Sequence, residues 1–116
     1  MSDSITLFDR LLAQEIPADI VYEDEHILAF RDIHPQAPVH VLVIPKIKQQ
    51  SFDQLADISP ELCGQLFTGV ARVARELGLA ENGYRVVINH GRDGQQTVEY
   101  IHAHLLAGRQ MQWPPG

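Results

Sequence analysis

The sequence predicts an α+β domain in which an antiparallel sheet of about five strands carries one long helix and one short N-terminal helix. Three observations support this fold class. Short β-branched and apolar runs bounded by turn residues indicate strands. Two stretches of helical spacing lie among them, and most other connections are short turns, as in antiparallel α+β sheets. The 116 residues suffice for one domain, which we expect to span residues 1–116.

The N-terminal half begins with the short helix and continues with three strands. Apolar residues recur at helical spacing in SITLFDRLLAQ, with Ser4 as the expected N-cap. The runs DIVYED and HILAFRD predict a hairpin that turns at Asp24 and Glu25. After a proline-containing loop, VHVLVIPK predicts a third strand that ends at Pro45.

The C-terminal half contains the long helix, two further strands and an irregular tail. In ISPELCGQLFTGVARVARELG, Ser59 is the expected N-cap, Pro60 takes the first helical position, and Gly78 ends the helix. YRVVINH predicts a strand, GRDGQQ a polar turn, and TVEYIHAHLLA a long last strand. The tail GRQMQWPPG is too rich in proline and glycine for regular structure.

Composition excludes several classes of partner. The net charge is −6 and no Lys/Arg cluster is present, so we expect no polymeric nucleic acid. No apolar run approaches the ~20 residues of a membrane span, and the start lacks the pattern of a signal peptide. The single cysteine, Cys63, excludes an intramolecular disulfide. We therefore expect a cytoplasmic protein without a membrane partner.

Histidines on the last predicted strand are the strongest chemical signal. Alternation places Tyr100, His102 and His104 on one face and apolar residues on the other. His40, on the strand VHVLVIPK, can join them if its side chain faces the same way. A single strand histidine is more often a hydrogen-bonded core residue, but a same-face pair is costly to bury without a function. The other histidines lie in predicted turns and are expected at the surface: His26, His34 and His90.

Two chemistries suit these residues. Neutral imidazoles of His40, His102 and His104 can bind zinc, although no Cys, Asp or Glu stands beside them on that strand face. Alternatively, one imidazole attacks phosphorus or a carbonyl carbon as a nucleophile while another donates to a phosphoryl oxygen. The residues alone leave both chemistries open.

The segment YIHAHLLAGRQMQWPPG, preceded by GRDGQQTV, resembles the histidine triad (HIT) superfamily, specifically its Hint branch of purine nucleoside phosphoramidases. The family motif is His-φ-His-φ-His-φ-φ, in which φ is apolar. IPADIVYEDEHILAFRDIHPQAPVHVLVIPK and GYRVVIN are similar to other parts of that branch, so the resemblance covers nearly the whole chain.

The resemblance implies a role for each catalytic residue. His102 matches the nucleophile, which forms a covalent nucleotidyl-histidine that water then hydrolyses. His104 matches the histidine that contacts the phosphate, and His40 matches a supporting histidine. Thr97 matches a Ser/Thr that hydrogen-bonds at the scissile bond and assists the leaving amine. No cofactor and no metal are implied.

The resemblance also implies a nucleotide site and a homodimer. Asp32 matches the acid that holds the ribose hydroxyls, although it can also simply cap a turn. The tail, 108–116, with Trp113, is expected to help form the partner's active site in a dimer built through the long helix and the last strands. The remaining candidate nucleotide-binding residues are the phosphate-side Asn89 and Gln96, the apolar purine slot of Phe8, Leu11, Ile16, Phe30 and Ile33, and Val98 on the histidine face.

This chain departs from the family pattern at three positions. Tyr100 replaces the first motif histidine, and Gln95 and Ala107 stand where the branch often carries glycine. Because the family nucleophile is oriented by the main-chain carbonyl of that first position, we expect Tyr100 to preserve the core chemistry with an altered rate or leaving-group preference. If the turn needs positive φ at Gln95, that residue is strained.

We therefore predict a nucleoside 5′-phosphoramidate hydrolase that favours adenosine. Three alternatives remain: a dinucleoside polyphosphate hydrolase, which the Hint-like tail disfavours; a catalytically impaired nucleotide-binding or regulatory protein, which Tyr100 makes plausible; and a zinc protein.

Overall fold

A computed structural model describes residues 4–116, so residues 1–3 of the predicted domain lie outside the described residues. Five strands form one antiparallel sheet in the order β1-β2-β3-β5-β4, which confirms the predicted α+β class. A 3₁₀ helix before the long helix was not predicted. The elements are α1 (Leu7–Leu12), β1 (Ile20–Glu23), β2 (Ile27–Arg31), β3 (Val39–Pro45), the 3₁₀ helix (Phe52–Asp57), α2 (Pro60–Glu76), β4 (Arg85–Val87) and β5 (Ala103–Ala107).

The N-cap of α1 is Thr6, so the expectation of Ser4 was wrong. The Thr6 hydroxyl accepts a hydrogen bond from the Asp9 N–H at 3.2 Å, and the Asp9 carboxylate accepts from the Thr6 N–H at 2.7 Å. This reciprocal arrangement needs a side-chain acceptor three residues after the cap. Thr6 has Asp9 in that position, whereas Ser4 has Leu7, and this difference selects the start of the helix.

Helix α2 begins and ends where the local signals predicted. The Ser59 hydroxyl accepts from the Leu62 N–H at 3.2 Å, Pro60 occupies the first turn, and Gly78 adopts a positive φ of 74° after the last turn. The buried stripe of α2 packs on one face of the sheet, and it consists of Leu66, Gly69, Val70, Val73 and Ala74.

The last strand is shorter than predicted: a strand was expected over residues 97–107, whereas β5 runs only from Ala103 to Ala107. Before Ala103 the chain bonds to the loop that follows β3, where the Ile101 N–H donates to the Gln49 carbonyl at 2.7 Å. The alternation nevertheless persists. Ile101 packs in the α2-side core, and Tyr100 packs in a second cluster on the opposite face of the sheet.

That second face of the sheet carries α1 and the histidines. Phe8 and Leu11 of α1 are buried there with Tyr100. Among the residues from 4 to 116, His40 and His102 are the buried polar side chains. Within the same described range, no helix is long and apolar enough to cross a bilayer.

Candidate active site

Strand register brings His40 and His104 together on the α1 side of the sheet, and His102 lies beside them directly before β5. His40, at the start of β3, pairs with Leu106 of β5, and His104 of β5 pairs with Leu42 of β3. The ring centroids are 5.2 Å apart for His40 and His104, and 5.0 Å apart for His102 and His104. The predicted convergence of the three imidazoles is therefore present, while His26, His34 and His90 are exposed as expected.

Hydrogen bonds fix the tautomers of two of these rings. The Gln36 backbone N–H donates to Nδ1 of His40 at 3.0 Å, so Nδ1 of His40 carries a lone pair and Nε2 carries the proton. Nε2 of His40 lies 2.9 Å from Nδ1 of His104 and donates to it. The proton of His104 must then lie on Nε2, which is left as a donor for a bound group.

His102 has the opposite arrangement. Its Nδ1 lies 2.7 Å from the main-chain carbonyl oxygen of Tyr100, and a carbonyl can only accept. The proton of neutral His102 therefore lies on Nδ1, and Nε2 keeps its lone pair. A histidine held in this tautomer can act as a nucleophile without a separate base.

The site also keeps the imidazoles uncharged at neutral pH. Burial lowers the pKa of His102, although the Tyr100 carbonyl and Asp32 act in the opposite direction. Burial likewise lowers the pKa of His40. For His104, burial together with His102 and His40 lowers the pKa to about 4. A nucleophilic lone pair is thus available at pH 7.

Asp32 stands beside the histidines, which corrects the expectation that no acid accompanies them. Its Oδ2 lies 3.4 Å from Nε2 of His40, and its Oδ1 accepts from the His34 N–H at 2.8 Å. Asp32 directly follows strand β2 and not the histidine strand, so the alternation of that strand does not reveal it. Asp32 therefore caps a turn and faces the site at the same time.

One set of side chains has the composition of a metal site. Asp32, His40 and His104 each offer one ligand atom, and these atoms lie within 4.8 Å of one another. A metal ligand nitrogen must carry a lone pair, whereas Nε2 of His40 is protonated because the Gln36 N–H occupies Nδ1. The hydrogen-bonded arrangement therefore does not fit a bound metal.

The apolar wall of the site is built around Phe8. Its ring packs edge-on against His102 with centroids 5.0 Å apart, and against Phe30 at 5.4 Å. The predicted purine-slot residues Leu11, Ile16 and Phe30 belong to the same cluster, together with Val98. Ile33 lies outside that cluster and its side chain is 82% exposed.

Tyr100 is fully buried and points away from His40. Its hydroxyl donates to the carbonyl of Pro45, at the opposite end of β3 from His40. Its ring lies 6.1 Å from that of Phe8, and burial raises its pKa. The side chain thus serves packing, while its carbonyl orients His102.

The turn 91–96 leads into the histidine segment. Gln96 holds the turn, because its amide nitrogen donates to the carbonyls of Gln50 at 2.7 Å and Val98 at 3.0 Å, and its amide oxygen accepts from the Gly91 N–H at 3.1 Å. Gln95 has a positive φ of 63°, as anticipated for a position that favours glycine. The other two predicted residues of this region are the half-buried Asn89 and the exposed Thr97.

The tail, 108–116, is irregular as predicted, and it returns to the edge strand β4. The Arg85 guanidinium donates to the Gln112 carbonyl at 2.9 Å and lies 5.9 Å over the ring of Trp113. The indole of Trp113 is 81% exposed.

Two residues of the site have no signal in the sequence that would identify them. Gln36 acts through its backbone N–H, and any residue type can supply such a donor. Lys48 contacts α1 and Tyr100 from the loop after β3, and its stretch, PKIKQQ, is notable only as the most basic one in the chain.

The fold and site together define a small α+β protein with a hydrogen-bonded histidine cluster on one face of its sheet. The HIT domain family matches residues 13–111. The maize 14 kDa zinc-binding protein is 52% identical over 118 residues, covering 100% of this chain and 91% of the relative. Adenylylsulfatase HINT1 of Arabidopsis thaliana is 49% identical, covering 99% of this chain and 79% of the relative.

A solved structure gives the same family. The crystal structure of a HIT family hydrolase from Legionella pneumophila superposes with a TM-score of 0.89 at 48% identity, covering 95% of this chain and 98% of that chain. The present chain therefore belongs to the HIT family, in its Hint-like branch, as the resemblance of the sequence predicted.

Proposed function

We propose that this protein hydrolyses the P–N bond of nucleoside 5′-phosphoramidates, with adenosine as the favoured nucleoside and His102 as the nucleophile. The observation that carries the proposal is the hydrogen bond between Nδ1 of His102 and the Tyr100 carbonyl. It leaves an unprotonated Nε2 beside a second imidazole, His104, whose Nε2–H is a donor. An attacking lone pair and a donor for phosphoryl oxygen are the two groups that displacement at phosphorus requires.

The reaction proceeds in two displacements. Nε2 of His102 attacks the α-phosphorus while the substrate P–N bond breaks. The electron pair of that bond leaves with the amine, which takes up a proton from solvent beside the exposed Thr97. The intermediate is a nucleotide joined to Nε2, with the imidazolium charge stabilised through Nδ1–H and the Tyr100 carbonyl. Water then attacks phosphorus, frees neutral His102 and gives the nucleoside monophosphate. In both displacements the Nε2–H of His104 donates to a phosphoryl oxygen.

The relatives support a nucleotide substrate. One is named an adenylylsulfatase and another a HIT family hydrolase. An adenylyl sulfate and an adenosine phosphoramidate share the adenylyl α-phosphorus and differ in the leaving group. In this site the ribose hydroxyls would bind to Asp32, and the purine to the apolar wall around Phe8 and Phe30. Asn89 and Gln96 would lie on the phosphate side, with the cytoplasm as the working compartment.

We also propose a homodimer in which the tail completes the partner's site. Strand β4 is an edge of the sheet, and an unpaired edge is a template for pairing with another chain. Val86 on this strand is 41% exposed, Tyr84 just before it is 40% exposed, and Phe67 on α2 is 48% exposed. Sedimentation should give the mass of two chains for the protein and a shift toward one chain for Val86→Lys.

Three other functions make different predictions. A nucleotide-binding or regulatory protein would bind AMP without turnover, as a disabling effect of Tyr100 would produce. A dinucleoside polyphosphate hydrolase would use the same nucleophile with a nucleotide leaving group. A zinc protein would lose activity in EDTA, and the protonated Nε2 of His40 argues against it.

The proposal is tested by hydrolysis of adenosine 5′-phosphoramidate in the presence of EDTA. We expect turnover by the protein and at least a ~10³-fold loss for His102→Ala, because removal of a nucleophile abolishes the covalent route. Adenylyl sulfate and diadenosine polyphosphate, assayed in parallel, identify the preferred leaving group. A folded protein that binds AMP without hydrolysing any of these substrates would contradict the proposal.

A further inference from the structure

Helix α1 carries the apolar wall of the site but is too short to be stable alone. It has six residues, fewer than the ~12–15 that an isolated helix needs in water. Its Phe8 packs edge-on against His102. The position of Phe8 therefore depends on the contacts that hold α1 to the rest of the protein.

Lys48, in the loop after β3, makes polar contacts with α1 and with the residues just before it. Its Nζ donates to Oδ2 of Asp9 at 2.8 Å and to the Ser4 carbonyl at 3.0 Å. The same ammonium lies 5.7 Å over the ring of Tyr100. One cation thus contacts Ser4 just before the helix, Asp9 of the capping box, and Tyr100, whose carbonyl orients His102.

Asp9 connects the capping box to this contact. Its carboxylate accepts from the Thr6 N–H and hydroxyl, at 2.7 and 2.9 Å, as well as from Lys48. Burial raises the pKa of Asp9, but the hydrogen bonds from Lys48 and Thr6 outweigh it, so the pKa lies below its usual value. The carboxylate stays charged and paired at neutral pH.

The ring of Tyr100, over which the Lys48 ammonium lies, is held in place by its own contacts. The ring is wholly buried, its hydroxyl is bonded to the Pro45 carbonyl, and it packs against Phe8. The residue in the first motif position therefore touches both the cation and the aromatic ring that covers His102.

We propose that Lys48 is a positioning residue: through Asp9 and the face of Tyr100 it holds α1 in place and keeps Phe8 against the imidazole of His102. The consequence for catalysis rests on the proposed function, since it takes His102 as the reacting group. The effect on the position of α1 does not depend on the proposed function.

Lys46 provides a matched control from the same loop. Its Nζ lies 2.7 Å from Glu23, and its side chain is 30% exposed, against 28% for Lys48. Glu23 is 48% exposed and lies on β1, whereas Asp9 is 26% exposed and also accepts the capping bonds. Exposed single pairs contribute little, so Lys46→Met should leave α1 and the histidines unchanged.

The test compares Lys48→Met with Lys46→Met by hydrogen exchange and by NMR of the histidine ring protons. We expect amide exchange in α1 to accelerate about tenfold or more in Lys48→Met, as expected on loss of a charge-assisted hydrogen bond. Exchange in β2 and β3 should stay unchanged, and the ring-proton shifts of His102 should move. The Kd for AMP should rise severalfold. Lys46→Met should match the parent in every readout.

A second variant distinguishes loss of the Lys48–Asp9 contact from a general folding defect. Asp9→Asn keeps an acceptor for Thr6 but loses the charge, so its effect on α1 exchange should not add to that of Lys48→Met. Exchange in α1 that equals the parent's in Lys48→Met, equal acceleration throughout the sheet, or additive effects of the two substitutions would each overturn the proposal. A parent that neither binds AMP nor hydrolyses phosphoramidates would refute the proposed function and leave the exchange result intact.

Discussion

The low pKa of His104 makes stability depend on pH in a defined window. Its pKa is about 4 in the folded protein, against an ordinary value of 6.5. Between pH 6.5 and 4, His104 is mostly protonated in the unfolded chain but mostly neutral in the folded protein. The free energy of unfolding therefore falls as the pH falls toward 4. For these two pKa values, linkage gives a loss of about 2 kcal/mol between pH 7.5 and 5.

The assay is urea unfolding at pH 7.5, 6.5, 5.5 and 5, for the protein beside His104→Gln. The difference between the two stabilities reports His104 and its coupling to His40 and His102, and pH values of 5 and above avoid Asp9 and Asp24, whose pKa values lie below their usual range. We expect His104→Gln to be less stable at pH 7.5 and to lose that disadvantage as the pH falls. A stability difference that is constant from pH 7.5 to 5 would refute the neutral histidine cluster.

Three other predictions test the fold and the departures from the family pattern. Gly69→Ala should destabilise by about 1–3 kcal/mol, because its Cβ would lie 2.9 Å from the buried Ile27 side chain, whereas Gly64→Ala in the same helix meets no atom within 4 Å and should stabilise. Gln95→Gly should stabilise by about 1 kcal/mol, since φ is 63° there, and an unchanged Tm would show that no strain is stored. Tyr100→His should change kcat/KM within about tenfold, because the carbonyl orients His102; turnover gained by an inactive parent would contradict this.

Much of the fold was predictable because its signals are local. Helix α2 carries its N-cap Ser59, its proline and its terminal Gly78 within one stretch of sequence, and it begins and ends accordingly. The start of β5 was not predictable, because the apolar alternation continues back through Tyr100 while the backbone of Ile101 bonds to Gln49, far away in sequence. Alternation identifies the face of a residue but not its ladder partner.

In the candidate site, too, some features could be predicted from the sequence and others could not. Alternation on one strand places His102 and His104 together, and one further strand brings in His40. The tautomers are set by backbone groups of Gln36 and Tyr100, which carry no side-chain signature. The sequence therefore predicts which imidazoles meet but not which nitrogen carries the proton, and that proton decides which ring attacks.

The central claim is that Nε2 of His102 becomes covalently bonded to the nucleotide. The most direct measurement is peptide mass spectrometry of the protein mixed briefly with adenosine 5′-phosphoramidate and quenched in base, which preserves P–N bonds. We expect one adenylyl group on the peptide that contains His102, and none in His102→Ala. Turnover without an adenylylated peptide, or the same label in His102→Ala, would contradict the account.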